Sequence, residues 1–231
     1  MDKKTGFVAF FDILGYRNFL KRNKPEIAAE KITEFLKKLK AFQSETYLSL
    51  FEKEFQSEAK PIVEKIVYLV ISDSILLTLE ADKSVEGDYK FSQFLFLVYC
   101  ARLSKDLFIY GLPVRGAIEY GEYVLVENQT LVGTPIVDAY QSATDLDLSA
   151  CQVSNSVEDL VASLENVVYL KYNTPLTTGE EKELVLLMPF SLADDEKDEF
   201  TLTKITDLEQ FIMRSFSAHS KMVNKESQRK S

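Results

Sequence analysis

The stretch GFVAFFDILG (residues 6–15) decides how this chain is read. Six residues from Gly6 to Phe11 carry no polar side chain, and the run ends on a carboxylate, Asp12. A short, wholly apolar run bounded by a turn residue predicts a strand buried on both faces. Gly15 then lets the backbone turn sharply into a helical pattern. Outward from this strand, IVEKIVYLVI (62–71) and SILLTLE (74–80) are separated only by Ser72-Asp73, which predicts two strands joined by a tight hairpin. LPVRGAIEY (112–120) and GEYVLVE (121–127) predict a second strand pair around Gly121, and strands recur at Val167–Tyr172 and Leu184–Met188. Helical spacing predicts helices over Glu26–Phe55, Asp88–Phe108, Thr134–Leu148 and Thr206–Met222. Pro25 and Pro61 punctuate the first of them. The order is an α+β sandwich: a mainly antiparallel sheet with helices on one face.

The composition narrows the chemistry. A chain of 231 residues with 46% hydrophobic side chains can bury a full core as one domain. Cys100 and Cys151 cannot make a disulfide framework, and a reducing, cytoplasmic setting is expected. The N-terminal apolar run is interrupted by Asp12, so neither a signal peptide nor a membrane span is expected there. The net charge of −9, from 27 basic and 36 acidic side chains, repels a phosphate backbone, so nucleic-acid binding is not expected. The single histidine, His219, lies near a polar C-terminus, which argues against Ser/His/Asp and Cys/His catalysis and against an ordinary zinc site. Chemistry here falls to carboxylates, metal ions and substrate.

Asp12 ends a buried strand, where a carboxylate is costly unless paired, metal-bound or capping the next helix. Asp73 at a hairpin tip can simply bond its local backbone. If the first strand is central and the hairpin packs beside it, the two carboxylates converge at one end of the sheet. Two carboxylates and a triphosphate are how hard divalent ions are held. Arg115, set among apolar strand residues, is the candidate cation for substrate, or else a structural ion-pair partner. Tyr68 is a candidate to stack on a base, or else a packed strand tyrosine. Lys171, late in a strand, is a surface lysine by default, though it could reach a triphosphate. The acidic run ADDEKDE (193–199) reads as a solvated loop.

FFDILGYRNF (10–19) resembles the F-x-D-I-x-G-F motif of class III adenylate/guanylate cyclases. VYLVISDSILLTL (67–79) resembles that family's strand–G-D–strand motif, with Ser72 in place of the glycine. LPVRGAIEYGEYV (112–124) resembles its V-R-x-G-I-x-x-G-x-V strands, and LVGTPIVDAYQSA (131–143) the glycine-led helix that follows. The resemblance runs over residues 6–143 of 231. It implies a ferredoxin-like βαββαβ core and two divalent ions, Mg2+ or Mn2+, held by Asp12, Ile13 and Asp73. It also implies a homodimer with two composite sites, in which one subunit supplies the carboxylates and the other most contacts to base and transition state. The reaction implied is attack of the ribose 3′-hydroxyl on the α-phosphorus with loss of pyrophosphate.

The departures point further. The position that carries a base-reading Lys or Glu in purine cyclases is Leu69, which has no donor or acceptor for a purine edge. The partner position is Thr130, whose hydroxyl can still bond a base. The family's transition-state Asn and Arg fall on Val137 and Gln141. R-G-A-I-x-x-G (Arg115–Gly121) and G-x-x-x-x-x-A-Y (Gly133–Tyr140) resemble the bacterial Pycsar pyrimidine cyclases, which make cyclic CMP or cyclic UMP in antiphage defence. That branch often carries a Glu shortly after the Tyr, where this chain has Ser142 and Ala143. The expected activity is therefore UTP or CTP cyclisation, with Asp12 and Asp73 catalytic and Arg115, Tyr68, Leu69, Thr130 and Tyr140 at the substrate. A separate cyclic-nucleotide effector is implied. The expected domain is residues 1–216, with its catalytic core at about 6–190 and a polar tail at 217–231. The alternative is a cyclase-like module that binds nucleotide without turnover. A haloacid dehalogenase reading fails on Leu14, where a second Asp is required. A diguanylate cyclase reading fails because Ile71-Ser72-Asp73-Ser74 is not G-G-D/E-E-F.

Overall fold

The computed structural model describes residues 2–41, 53–126, 130–157 and 169–187. In chain order the elements are β1 (Asp2–Ile13), α1 (Tyr16–Arg22), α2 (Pro25–Ala41), α3 (Lys53–Val63), β2 (Val67–Ile71) and β3 (Ser74–Glu80). There follow α4 (Glu86–Ile109), β4 (Val114–Val126), β5 (Thr130–Val132), α5 (Thr134–Asp145), β6 (Cys151–Val153), β7 (Tyr169–Pro175) and β8 (Glu181–Leu187). One sheet runs β2-β3-β1-β4-β6-β8-β7, with β5 added to β4. All pairs are antiparallel except β4 with β6. The βαββαβ core and the α+β class are as expected from sequence.

β1 lies between β3 and β4, which is why its residues read as a continuous apolar run. Alternation still assigns them to two faces. Phe7, Ala9, Phe11 and Ile13 enter the main core with Ala59 and Val63 of α3 and the buried residues of α4. Val8 and Phe10 join a second cluster with Leu76, Ala117, Tyr123, Leu125 and, from α5, Ala139 and Ala143. The helices thus do not all share one face: α5 covers the other. The middle of α4 is apolar all round because it is enclosed all round; every residue from Leu95 to Ala101 is at most 2% exposed.

Three sequence expectations change. Pro61 does not follow a helix but sits inside α3, whose spacing drives Ala59 and Val63 into the core, so the strand after it starts at Val67 rather than Ile62. The expected long helix over 26–55 comprises α2 and the start of α3, with residues 42–52 outside the described set. Gly121 is not a turn; it lies within one continuous β4, where Pro135 of α5 packs 3.3 Å from where its Cβ would stand. The expected helix over 206–222, the loop at 193–199, the tail and His219 lie outside the described residues. No helix among the described residues is long and apolar enough to cross a membrane.

Candidate active site

Asp12 is placed by the last turn of the pleat in β1. It faces Ser74 of β3 and Arg115 of β4 in register, so its row across the sheet is Ile71, Ser74, Asp12, Arg115. Parity puts its side chain on the α5 face, with Val8 and Phe10. The β2–β3 hairpin closes against the same strand end: the Ile13 N–H donates to the Asp73 carbonyl at 3.0 Å. Asp12 and Asp73 therefore converge, as the sequence suggested they would if β1 were central. Burial pushes the Asp12 carboxyl above its ordinary pKa; the bond and charge of Arg115 oppose this, and the negative charge of Asp73 adds to it.

Ser72, at the hairpin tip, has φ 58°, in the left-handed region that favours glycine. It stands where the resembled motif has glycine. Ser72→Gly is expected to raise the unfolding free energy by about 0.5–1 kcal/mol, since relief of the left-handed backbone outweighs the entropy glycine adds to the unfolded chain. Thermal unfolding checks it; a lower melting temperature would contradict the strain.

Arg115 is fully engaged with the protein. Its Nε donates to Asp12 Oδ2 at 3.0 Å and its Nη2 lies 3.0 Å from the same oxygen. Its Nη1 donates to the carbonyls of Thr144 and Leu146, at 2.8 and 3.2 Å, where α5 ends. The following residue is glycine because a Cβ at 116 would collide with the Phe11 ring. Arg115 thus fits its structural reading, an ion pair; its guanidinium is not aimed at open solvent.

One row down the same face, Leu69, Leu76, Phe10 and Ala117 pair across four strands. Tyr140 of α5 sets its ring edge-on to Phe10, centroids 5.3 Å apart, while remaining half-exposed. Leu69 and Tyr140 therefore meet one apolar platform beside Asp12, with Phe10 as its centre. Phe10 was not among the expected residues, though its place two residues before Asp12 on a strand is a period-2 signal. Thr130 opens β5, exposed, but it pairs with Val126 at the far end of β4 from Arg115, and it is its neighbour Leu131 that faces the α5 side, so Thr130 is not brought to Asp12. Tyr68 does not join this set: adjacent strand residues face opposite ways, and Tyr68 packs against the main core on the far face. Ile13 buries its side chain there too, leaving only its backbone to face the site. Val137 is exposed, and the Gln141 amide is bound to Asp145 of its own helix at 2.8 Å. Lys171 lies on β7, two strands beyond β6.

Among the described residues no group of three or more His, Cys, Asp or Glu is placed to hold a metal by itself. Two converging carboxylates, with Asp12 Oδ1 accepting no hydrogen bond among the described residues, fit a divalent ion that is shared with phosphate oxygens.

No protein-family model matches the sequence, and no curated protein matches it significantly. Solved structures do. The adenylyl cyclase CyaB of P. aeruginosa superposes with a TM-score of 0.56 at 13% identity, over 85% of this chain and 97% of that one. The guanylate cyclase domain of RhGC from Catenaria anguillulae, solved with GTP, gives 0.54 at 11% identity, over 81% and 98%. The dimeric guanylyl cyclase domain of RhoGC from Blastocladiella emersonii gives 0.53 at 14% identity, over 81% and 99%. The chain has the class III nucleotidyl cyclase fold.

Proposed function

We propose that this chain is a nucleotidyl cyclase that converts UTP or CTP to the 3′,5′-cyclic monophosphate and pyrophosphate. The observation that carries the reading is the convergence of Asp12 and Asp73 at the end of the central strand of a cyclase fold. Bound divalent ions, Mg2+ or Mn2+, would lower the charge on the attacking 3′-oxygen and on the departing pyrophosphate. Asp12 and Asp73 would hold them, with the backbone of Ile13. The 3′-hydroxyl oxygen bonds to the α-phosphorus, its proton passing to solvent, and the bond from that phosphorus to the bridging oxygen breaks to release pyrophosphate.

The pyrimidine preference rests on Leu69. It offers a purine edge no hydrogen bond and sits on an apolar platform with Phe10, which suits the smaller ring. Tyr140 would close that platform. The exposed apolar side chains of Val137 and Tyr140, three residues apart on α5, are where a homodimer's second subunit would complete each site. The product would act on a separate effector in antiphage defence, in the cytoplasm.

Purified protein incubated with ATP, GTP, CTP and UTP plus Mn2+, with products resolved by mass spectrometry, tests the reading. A cyclic pyrimidine nucleotide is expected. A cyclic purine would keep the chemistry and overturn the specificity. Leu69→Lys is expected to lower pyrimidine turnover at least about tenfold, since it drives a charge into the apolar platform; unchanged turnover would remove Leu69 from the base pocket.

A second reading is favoured by α5. Its exposed Val137 carries no donor and its Gln141 amide is spent on Asp145, so neither gives the donor that transition-state charge requires. On that reading the chain binds nucleotide without turning it over, and none of the four triphosphates yields a product.

A further inference from the structure

The reading of Asp12 as a metal ligand leaves open what Arg115 does, and the geometry answers that separately. Two nitrogens of its guanidinium crowd one oxygen of Asp12, Oδ2, and the third holds the carbonyls of Thr144 and Leu146. Both partners are largely screened from water, their side chains 21% and 19% exposed. An arginine at a nucleotide site is ordinarily expected to reach out to phosphate. Here every nitrogen is turned inward, and the fork spans two elements: the end of β1 and the end of α5.

We propose that Arg115 is a positioning residue, the resident counter-ion of Asp12, which sets how strongly the carboxylate takes a divalent ion and fastens α5 to it. The inference rests on the cyclase reading of Asp12. Its physical content is a competition. A half-buried carboxylate already facing a full positive charge attracts a second cation less than a bare one does, because screening by water is weak at this depth. Oδ2 is occupied by the guanidinium and Oδ1 is left for the ion. The other charge facing Asp12 is that of Asp73, which draws the ion in and does not compete for it. Without nucleotide, the Arg115 charge holds metal affinity down; a triphosphate brings the negative charge that restores it. The ties to Thr144 and Leu146 give α5, the helix that bears Tyr140, a direct mechanical link to the metal carboxylate.

The test is direct Mn2+ binding to the intact protein without nucleotide, followed by the electron paramagnetic resonance of free Mn2+, for wild type, Arg115→Met, Arg115→Gln and Asp12→Asn. Arg115→Met removes the charge and the α5 bonds; Arg115→Gln removes the charge but keeps amide donors for the α5 carbonyls, so it remains informative if the Met variant does not fold. Both are expected to bind Mn2+ roughly tenfold tighter than wild type. Hydrogen exchange at the last turn of α5 is expected to quicken in the Met variant and less in the Gln variant. Mn2+ affinity that is unchanged or weaker in both variants, with Asp12→Asn losing the ion, overturns the role of Arg115 alone. If Asp12→Asn binds Mn2+ as wild type does, the metal reading of Asp12 fails and the inference falls with it.

Discussion

Asp12→Asn and Asp73→Asn are each expected to lower cyclic-nucleotide formation by at least about a thousandfold while the protein stays folded. Asparagine matches aspartate in shape and removes one negative charge. At Asp12 the loss is double in kind: an amide is a far poorer ligand for a hard divalent ion, and it leaves the Arg115 guanidinium facing a neutral oxygen. At Asp73 the backbone carbonyl still accepts from Ile13, so the hairpin remains docked and the variant separates the charge of the side chain from the position of the turn. Product formation by mass spectrometry and thermal unfolding, run side by side, check the two halves of the statement. A doubly substituted protein that still turned over would remove both residues from the chemistry.

Phe7→Ala is expected to lower the unfolding free energy by about 3–5 kcal/mol. The ring is fully buried. It stands 5.3 Å from Tyr89, 5.7 Å from Phe96 and 5.1 Å, edge-on, from Tyr120, centroid to centroid. Its removal opens a cavity between β1, β4 and α4 that these rigid neighbours cannot fill. For a chain of this length the melting temperature should fall by roughly 10 °C. Phe7 faces the main core and Asp12 the α5 side, so the activity of the molecules that remain folded should change little. Calorimetry against specific activity checks the separation. A loss below about 1 kcal/mol would mean that the aromatic layer is not closed.

Much of this was legible in the chain. GFVAFFD reads as a buried strand, because an unbroken apolar run this short, ending on a charge, suits a strand covered on both faces. The two-residue gap at Ser72-Asp73 fixed the hairpin, since a two-residue connection leaves no other path for two strands. Leu69 two residues before Ile71, and Phe10 two before Asp12, share faces by the strand period alone. The same period separates Tyr68 from the site: a residue next to Leu69 has to face the other way.

The rest needed three dimensions. Pro61 reads as a helix stop, yet the burial of Ala59 and Val63 carries α3 past it. Gly121 reads as a turn, yet it lies mid-strand with Pro135 of a later helix packed over it. No local pattern reveals either, because the deciding contact comes from elsewhere in the chain. Arg115 is the sharpest case. Its sequence neighbourhood allows both a substrate cation and an ion pair, and what distinguishes them is contact with a carboxylate 103 residues away and with two helix-end carbonyls, a pairing that no local pattern signals. By itself, then, the sequence determined the central strand, the hairpin beside it and the two carboxylates, since those follow from local periodicity and polarity. The tertiary structure alone decided that the carboxylates meet, and which cation meets them, because convergence is a property of strand order and of register.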